Sequence, residues 1–140
     1  MWIAYAFLSA FFASLVAIFG KIGLKGIDST LATTVRAFIM AIFLGLVALA
    51  FKKFQGFTFA SFTGKEWLMI SLSGIAGALS WLFYFFALKN GNATAVSAID
   101  RTSIIFVAVL AALFLGESFG WKTGLGVVLI ASGIYLITLK

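Results

Sequence analysis

The stretch AIDRTS, Ala98 to Ser103, sets an acid beside a base and then runs straight into IIFVAVLAALFLG. Asp100 and Arg101 could pair with other charges, bind a charged solute or, for the carboxylate, carry a proton. Two more cations keep similar company: Arg36 interrupts the apolar run from Leu31 to Phe51, and Lys21 closes the one that begins at Trp2. A charge at membrane depth costs about 2.5–3.5 kcal/mol on insertion scales, so such groups normally face a bundle interior or water. Arg36, Asp100 and Arg101 each fall about two turns inside a helix, all toward the end that carries Lys21. An ion pair between Arg36 and Asp100 is the economical arrangement, because removing either partner would strand the other charge. So paired, Asp100 would hold its charge and make a poor proton carrier. Lys21 and Arg101 then remain as positive charge, which favours a solute with a carboxylate or phosphate over a bare cation. The structural alternative is that these residues lock helices together or snorkel to headgroups.

The elements that must hold these charges are membrane spans. The chain has 140 residues, of which 64% are hydrophobic and 10% charged, and it lacks Cys, His and Pro. Soluble domains run about 45–50% apolar and about 25% charged, and a small one buries only about two-thirds of its surface. The solvent for this chain is therefore a bilayer. Without Cys or His, disulfides, thiolate metal sites and imidazole acid–base chemistry are excluded. No cofactor is called for, and an enzyme is not expected, since nucleophile–base sets lack their residues. The net charge of +6 comes from cations that sit mostly between apolar runs, where they anchor headgroups and set topology. Nucleic acid is not an expected partner.

A spanning helix needs about 20 mostly apolar residues. Five runs qualify, over residues 2–20, 31–51, 67–88, 93–116 and 122–139. They imply an all-α, multi-pass bundle in one domain over residues 1–140. The first run lacks a basic n-region and exceeds the roughly 7–15 apolar residues of a signal peptide, so it reads as a retained helix. Trp121 and Lys140 would anchor the last span. The connections are short apart from KKFQGFTFASFTGKE, whose Phe54, Phe57, Phe59 and Phe62 suit the headgroup boundary. Loop lysines divide evenly. Lys52, Lys53, Lys65 and Lys122 fall on the N-terminal side, and Lys21, Lys25, Lys89 and Lys140 on the other. Only Arg36 and Arg101 tilt the count, favouring the latter side as cytoplasmic. Single insertion, with the N-terminus outside, and dual insertion with antiparallel pairing both remain open.

Small and polar stripes mark packed or pathway-lining faces in lipid. Ala10, Ser14, Ala17 and Lys21 align on the first helix, and Ser73, Gly77, Ser80 and Tyr84 on the third, with Trp81 beside them. Thr94, Arg101, Ala108 and Ala112 align on the fourth, and Gly120, Gly124, Gly126 and Gly133 give the last helix small faces. Such stripes are most often packing. Trp81 and Tyr84 lie too far inside their span to be explained by an interfacial belt alone, and are candidates to line a cavity. Glu117 reads as a solvated helix-end residue.

In order and spacing, FGKIGLKGID, TTVRAFIMAIFLGL and the long run from SWLFYFFALKNGNATAVSAIDRTS through LGES to GIYLI resemble the EamA domain of the drug/metabolite transporter superfamily. The resemblance covers essentially the whole chain. Lys21 matches the lysine closing the first helix, and Arg36 the arginine early in the second. Trp81, Tyr84 and Ala87 match the third-helix aromatic pattern, Leu115-Gly116-Glu117 the LGE ending the fourth, and Gly126 and Gly133 the last helix's glycines. The ID-[KR]-x-S segment is similar to the single-domain bacterial and archaeal branch. The family often has proline around Ala98, and its absence here argues against a kinked start to the fourth helix. Most relatives carry two such domains in opposed orientation, so the resemblance implies a partner, most simply a second copy. The small multidrug-resistance proteins are more distant, and their first-helix glutamate has no counterpart in this chain. What the resemblance implies is a transporter of small metabolites in the cell membrane, working by alternating access as a homodimer. Lys21, Arg36, Trp81, Tyr84, Asp100 and Arg101 are the pathway candidates. A lipid-carrier flippase subunit and a non-transporting scaffold are the alternatives.

Overall fold

Local chemistry sets the ends of each helix. α1 covers Trp2–Gly23 and ends on Lys21, a cation suited to the negative end of the helix dipole. Asp28 caps α2, Ser29–Ala50, by accepting the Leu31 N–H at 3.0 Å. That hydrogen bond holds the Asp28 carboxyl below its usual range, and Lys89 helps through space. α2 stops in a Schellman turn: the Lys53 N–H donates to the Ala48 carbonyl at 2.8 Å and the Lys52 N–H to Leu49 at 2.9 Å. The left-handed residue of that turn is Lys52, with φ 55°, where glycine is usual. Thr63 and Glu66 open α3, Gly64–Asn90, with a capping box, each side chain accepting the other's backbone N–H. Asn92 caps α4, Ala93–Asp100, through the Thr94 N–H at 2.8 Å. α5 covers Ser103–Leu110 and continues as a π-helical turn over Ala111–Leu115, and α6 covers Trp121–Thr138.

The computed structural model describes residues 1–139; Lys140, expected as an anchor, lies outside the described residues. Among the described residues, five helical stretches are long and apolar enough to cross a membrane: Trp2–Gly23, Ser29–Ala50, Gly64–Asn90, Ala93–Leu115 and Trp121–Thr138. All five lie where the hydrophobic runs put them. Their surfaces suit lipid. Among the described residues only Ala17, Leu24, Phe85, Leu88 and Ala111 form a buried apolar core, while side chains such as Phe7, Phe38, Leu46 and Phe106 are largely exposed. A chain in water could not leave so much apolar surface uncovered.

The fourth span departs from expectation. The sequence argues for an unkinked start because it lacks proline, yet the helix breaks at Arg101–Thr102. The Arg101 N–H is shared between Ser97 and Ala98, the Thr102 N–H turns to Ile99, and the Ile104 N–H goes to Arg101 rather than Asp100. These are the tighter i→i+3 bonds of a 3₁₀ turn. Asp100, Thr102 and Ser103 are weak helix formers whose short polar side chains favour turns, which does the work ascribed to proline. The face expected to align Thr94, Arg101, Ala108 and Ala112 is therefore interrupted at its second member. Gly116 ends the span in the left-handed conformation, φ 68°, with the Glu117 N–H on the Ala111 carbonyl at 3.2 Å. Only a residue without a Cβ adopts that turn freely, which gives the LGE sequence its physical content.

The chain packs as two units. One joins Met1–Lys21 to the segment from Asn90 onward; the other is Ile22–Lys89. In the first, α6 packs against α4 and, more sparingly, α5. In the second, the long link folds into an aromatic cluster. Phe57 meets Phe54, Phe59 and Phe62, Phe59 stacks on Trp67, and the Trp67 indole N–H donates to the Phe59 carbonyl at 3.0 Å.

Candidate functional site

The aromatic run of α3 places rings at helical spacing, so Trp81, Tyr84 and Phe85 converge on one side. Trp81 meets Tyr84 edge-on at 5.6 Å and Phe85 at 6.0 Å, and Tyr84 lies 6.1 Å from Phe85. Arg36 comes to this cluster from α2. Its guanidinium carbon lies 3.7 Å from the Trp81 ring centroid and 5.3 Å from that of Phe85. Phe85 is buried, and Arg36, Trp81 and Tyr84 are half-buried. An aromatic face carries negative charge density, so the indole gives the cation a partner in an apolar medium.

Beside this stack is a cavity of about 820 Å³ between α2 and α3. Arg36 is the one charged group in its lining. The polar remainder is Thr30, Thr33, Thr34 and Ser73; Phe38, Met40 and Leu44 supply much of the apolar wall. Gly74 and Gly77 face it from α3, and a Cβ built on either would meet no atom within 4 Å. Two of the threonine hydroxyls are already engaged. Thr33 donates to the Ser29 carbonyl at 2.7 Å and Thr34 to that of Thr30 at 2.9 Å.

The other candidates belong to the other unit. The Lys21 ammonium donates to the Gly91 carbonyl at 2.8 Å, tying the end of α1 to the turn that opens α4. Asp100 is the last residue before the break in the fourth span and Arg101 the first within it, and both are exposed. Arg101 lines a second cavity, of about 490 Å³, with Ser103, Ile104, Val107 and Ile130. The structure thus brings Arg36, Trp81 and Tyr84 together and gives Lys21 a backbone partner. The ion pair between Arg36 and Asp100 would join residues of different units and stays an expectation. Sequence reasoning missed Phe85 and the threonines. Phe85 carried a signal, four residues from Trp81 on the same face, and so did Thr33, one turn before Arg36.

The profile of the EamA-like transporter family matches residues 1–139. The chain belongs to this family. It is similar to an uncharacterized transporter encoded in the cobO 3′ region of a Sinorhizobium species, at 40% identity over 136 residues, covering 97% of this chain and 95% of that protein. It is also similar to an uncharacterized transporter of Archaeoglobus fulgidus, at 40% identity over 124 residues, covering 88% of this chain but 40% of that protein. No solved structure matches the chain. The EamA-like chain is therefore a multi-pass membrane protein of a transporter family, which points away from an enzyme.

Proposed function

We propose that this protein moves small metabolites bearing a carboxylate or phosphate across the cell membrane by alternating access, as a homodimer of half-transporters. The observation that carries this reading is Arg36 held on Trp81 beside the α2–α3 cavity. A cation kept at membrane depth, next to space and small residues, is the arrangement a binding site for an anionic solute needs. Pairing is supported by the two relatives: one matches this chain nearly end to end, and the other is long enough to hold a second region of similar size. Even division of the loop lysines favours an antiparallel pair, since inverted halves around a midplane site are a common transporter plan. Proteoliposome uptake tests the transport reading. Saturable entry of organic anions, lost in Arg36→Gln, is expected; uptake indistinguishable from protein-free liposomes would overturn it. Reporters fused after the C-terminus should be found on both membrane faces if the pair is antiparallel.

A second reading, a flippase subunit for a phosphorylated polyprenyl or other amphipathic lipid, has its own support. The cavity at Arg101 joins one cation to an aliphatic wall of Ile104, Val107 and Ile130, as a lipid headgroup and chain would require. Scrambling of a fluorescent anionic lipid in the same proteoliposomes, lost in Arg101→Gln, separates this reading from the first.

A further inference from the structure

We infer that the α2–α3 cavity takes a monocarboxylate with an apolar body, and discriminates against phosphate esters, amines and neutral analogues. The inference rests on the transport reading and narrows its substrate class. Three observations lead to it.

Stacking leaves Arg36 free to bind. The guanidinium carbon lies 3.7 Å from the Trp81 ring centroid, a contact with the π face that uses no N–H as a hydrogen-bond donor to a side-chain oxygen, and the N–H fork matches the two oxygens of a carboxylate. Charge count then sets the anion. Arg36 is the sole charged residue lining the cavity. One carboxylate against one guanidinium makes a neutral pair, whereas a phosphate monoester, at a charge of about −1.5 to −2, leaves negative charge at membrane depth. An ammonium would meet a cation with no acid to receive it. Finally, the lining is poor in spare donors. The hydroxyl protons of Thr33 and Thr34 are spent on their own helix, which leaves Thr30 and Ser73 as the other hydroxyls of the lining, too few to serve the extra oxygens of a phosphate. The rest of the wall is apolar or glycine, and about 820 Å³ is room for a hydrocarbon or aromatic body of drug size.

The test uses one body with four head groups: 2-naphthoate, 2-naphthyl phosphate, 2-naphthylmethanol and 2-naphthylmethylamine. Binding is read as quenching of Trp81 fluorescence in nanodiscs, with Trp2, Trp67 and Trp121 replaced by phenylalanine. Naphthoate should quench saturably and at least tenfold more tightly than the other three. Arg36→Gln should weaken naphthoate at least tenfold, and Arg36→Lys should fall between. Gly77→Val, whose Cβ would meet no atom within 4 Å and whose methyls narrow the cavity, should weaken binding with the cation intact and serves if Arg36→Gln does not fold. Equal affinity for the phosphate or the alcohol, unchanged binding in Arg36→Gln and Gly77→Val, or no saturable quenching would each overturn the inference. So would quenching by brominated phospholipid that naphthoate does not relieve, which would give the cavity to an acyl chain, or naphthoate quenching lost on self-association, which would give it to a second copy. Uptake in proteoliposomes of the same lipid keeps the two readings apart. Binding without uptake removes the transport reading alone, and uptake that ignores Arg36 removes this inference and the part given to Arg36 while transport itself stands.

Discussion

Arg36 shows how one residue can be costly and retained. Its guanidinium sits half-buried, two turns inside a spanning helix, with the Trp81 face 3.7 Å away as its partner. Such a contact is worth about 1 kcal/mol when partly exposed and about 2 kcal/mol when desolvated. Trp81→Phe keeps an aromatic face and should lower the melting temperature in detergent only slightly, while Trp81→Leu should lower it by several degrees. An equal effect of both would mean that Trp81 contributes bulk rather than its π face. The structure adds Phe85, which lies under both partners and is buried. Asp28 is the other instructive residue. Its carboxyl is held below the ordinary 3.8 by the Leu31 N–H it caps, so its contribution to α2 is complete above about pH 4. That contribution is lost as pH falls through the lower, folded value, when the carboxyl protonates and the cap weakens. Asp28→Asn keeps a capping oxygen without the charge. It should remove the acid-dependent part of unfolding below pH 4 and leave stability at pH 7 nearly unchanged, as thermal melts across that range would show.

At the level of elements, helix ends explain more than helix interiors. α2 closes with Lys52 in the left-handed region, which costs a residue with a Cβ about 1 kcal/mol. Lys52→Gly should therefore raise stability by about that amount, since Lys53 still supplies a cation at the end of the helix dipole. A fall in melting temperature would show that Lys52 makes a contact worth more than its strain. The positions of the five spans were legible in the sequence because hydrophobic length and flanking charge are one-dimensional properties. So was the LGE turn, where glycine reports its conformation directly. The break in the fourth span was not legible to a reading that looked for proline. Its cause is distributed over Asp100, Thr102 and Ser103, each a weak helix former and none decisive alone, together with carbonyls that accept from the wrong turn. The cavity was half legible. Arg36, Trp81 and Tyr84 stood out as rare types at depth, but Thr33 and Thr34 resemble ordinary helix residues until their hydroxyls are seen engaged.

For the whole molecule, a chain that buries so few apolar side chains of its own must find its remaining contacts in an apolar surrounding. In the homodimer proposed above, a second copy would supply part of them. The central claim is narrower: the α2–α3 cavity beside Arg36 is part of a water-accessible path and does not simply face acyl chains. Because the chain contains no cysteine, Gly77→Cys would give a single thiol in that cavity, on a Cβ that meets no atom within 4 Å. Labelling it in sealed membranes with a charged, membrane-impermeant thiol reagent, applied to either face in turn, tests the claim most directly. Modification from both faces, slowed by 2-naphthoate, is the predicted result. A thiol that reacts with lipid-soluble maleimide but with the charged reagent from neither face would contradict it.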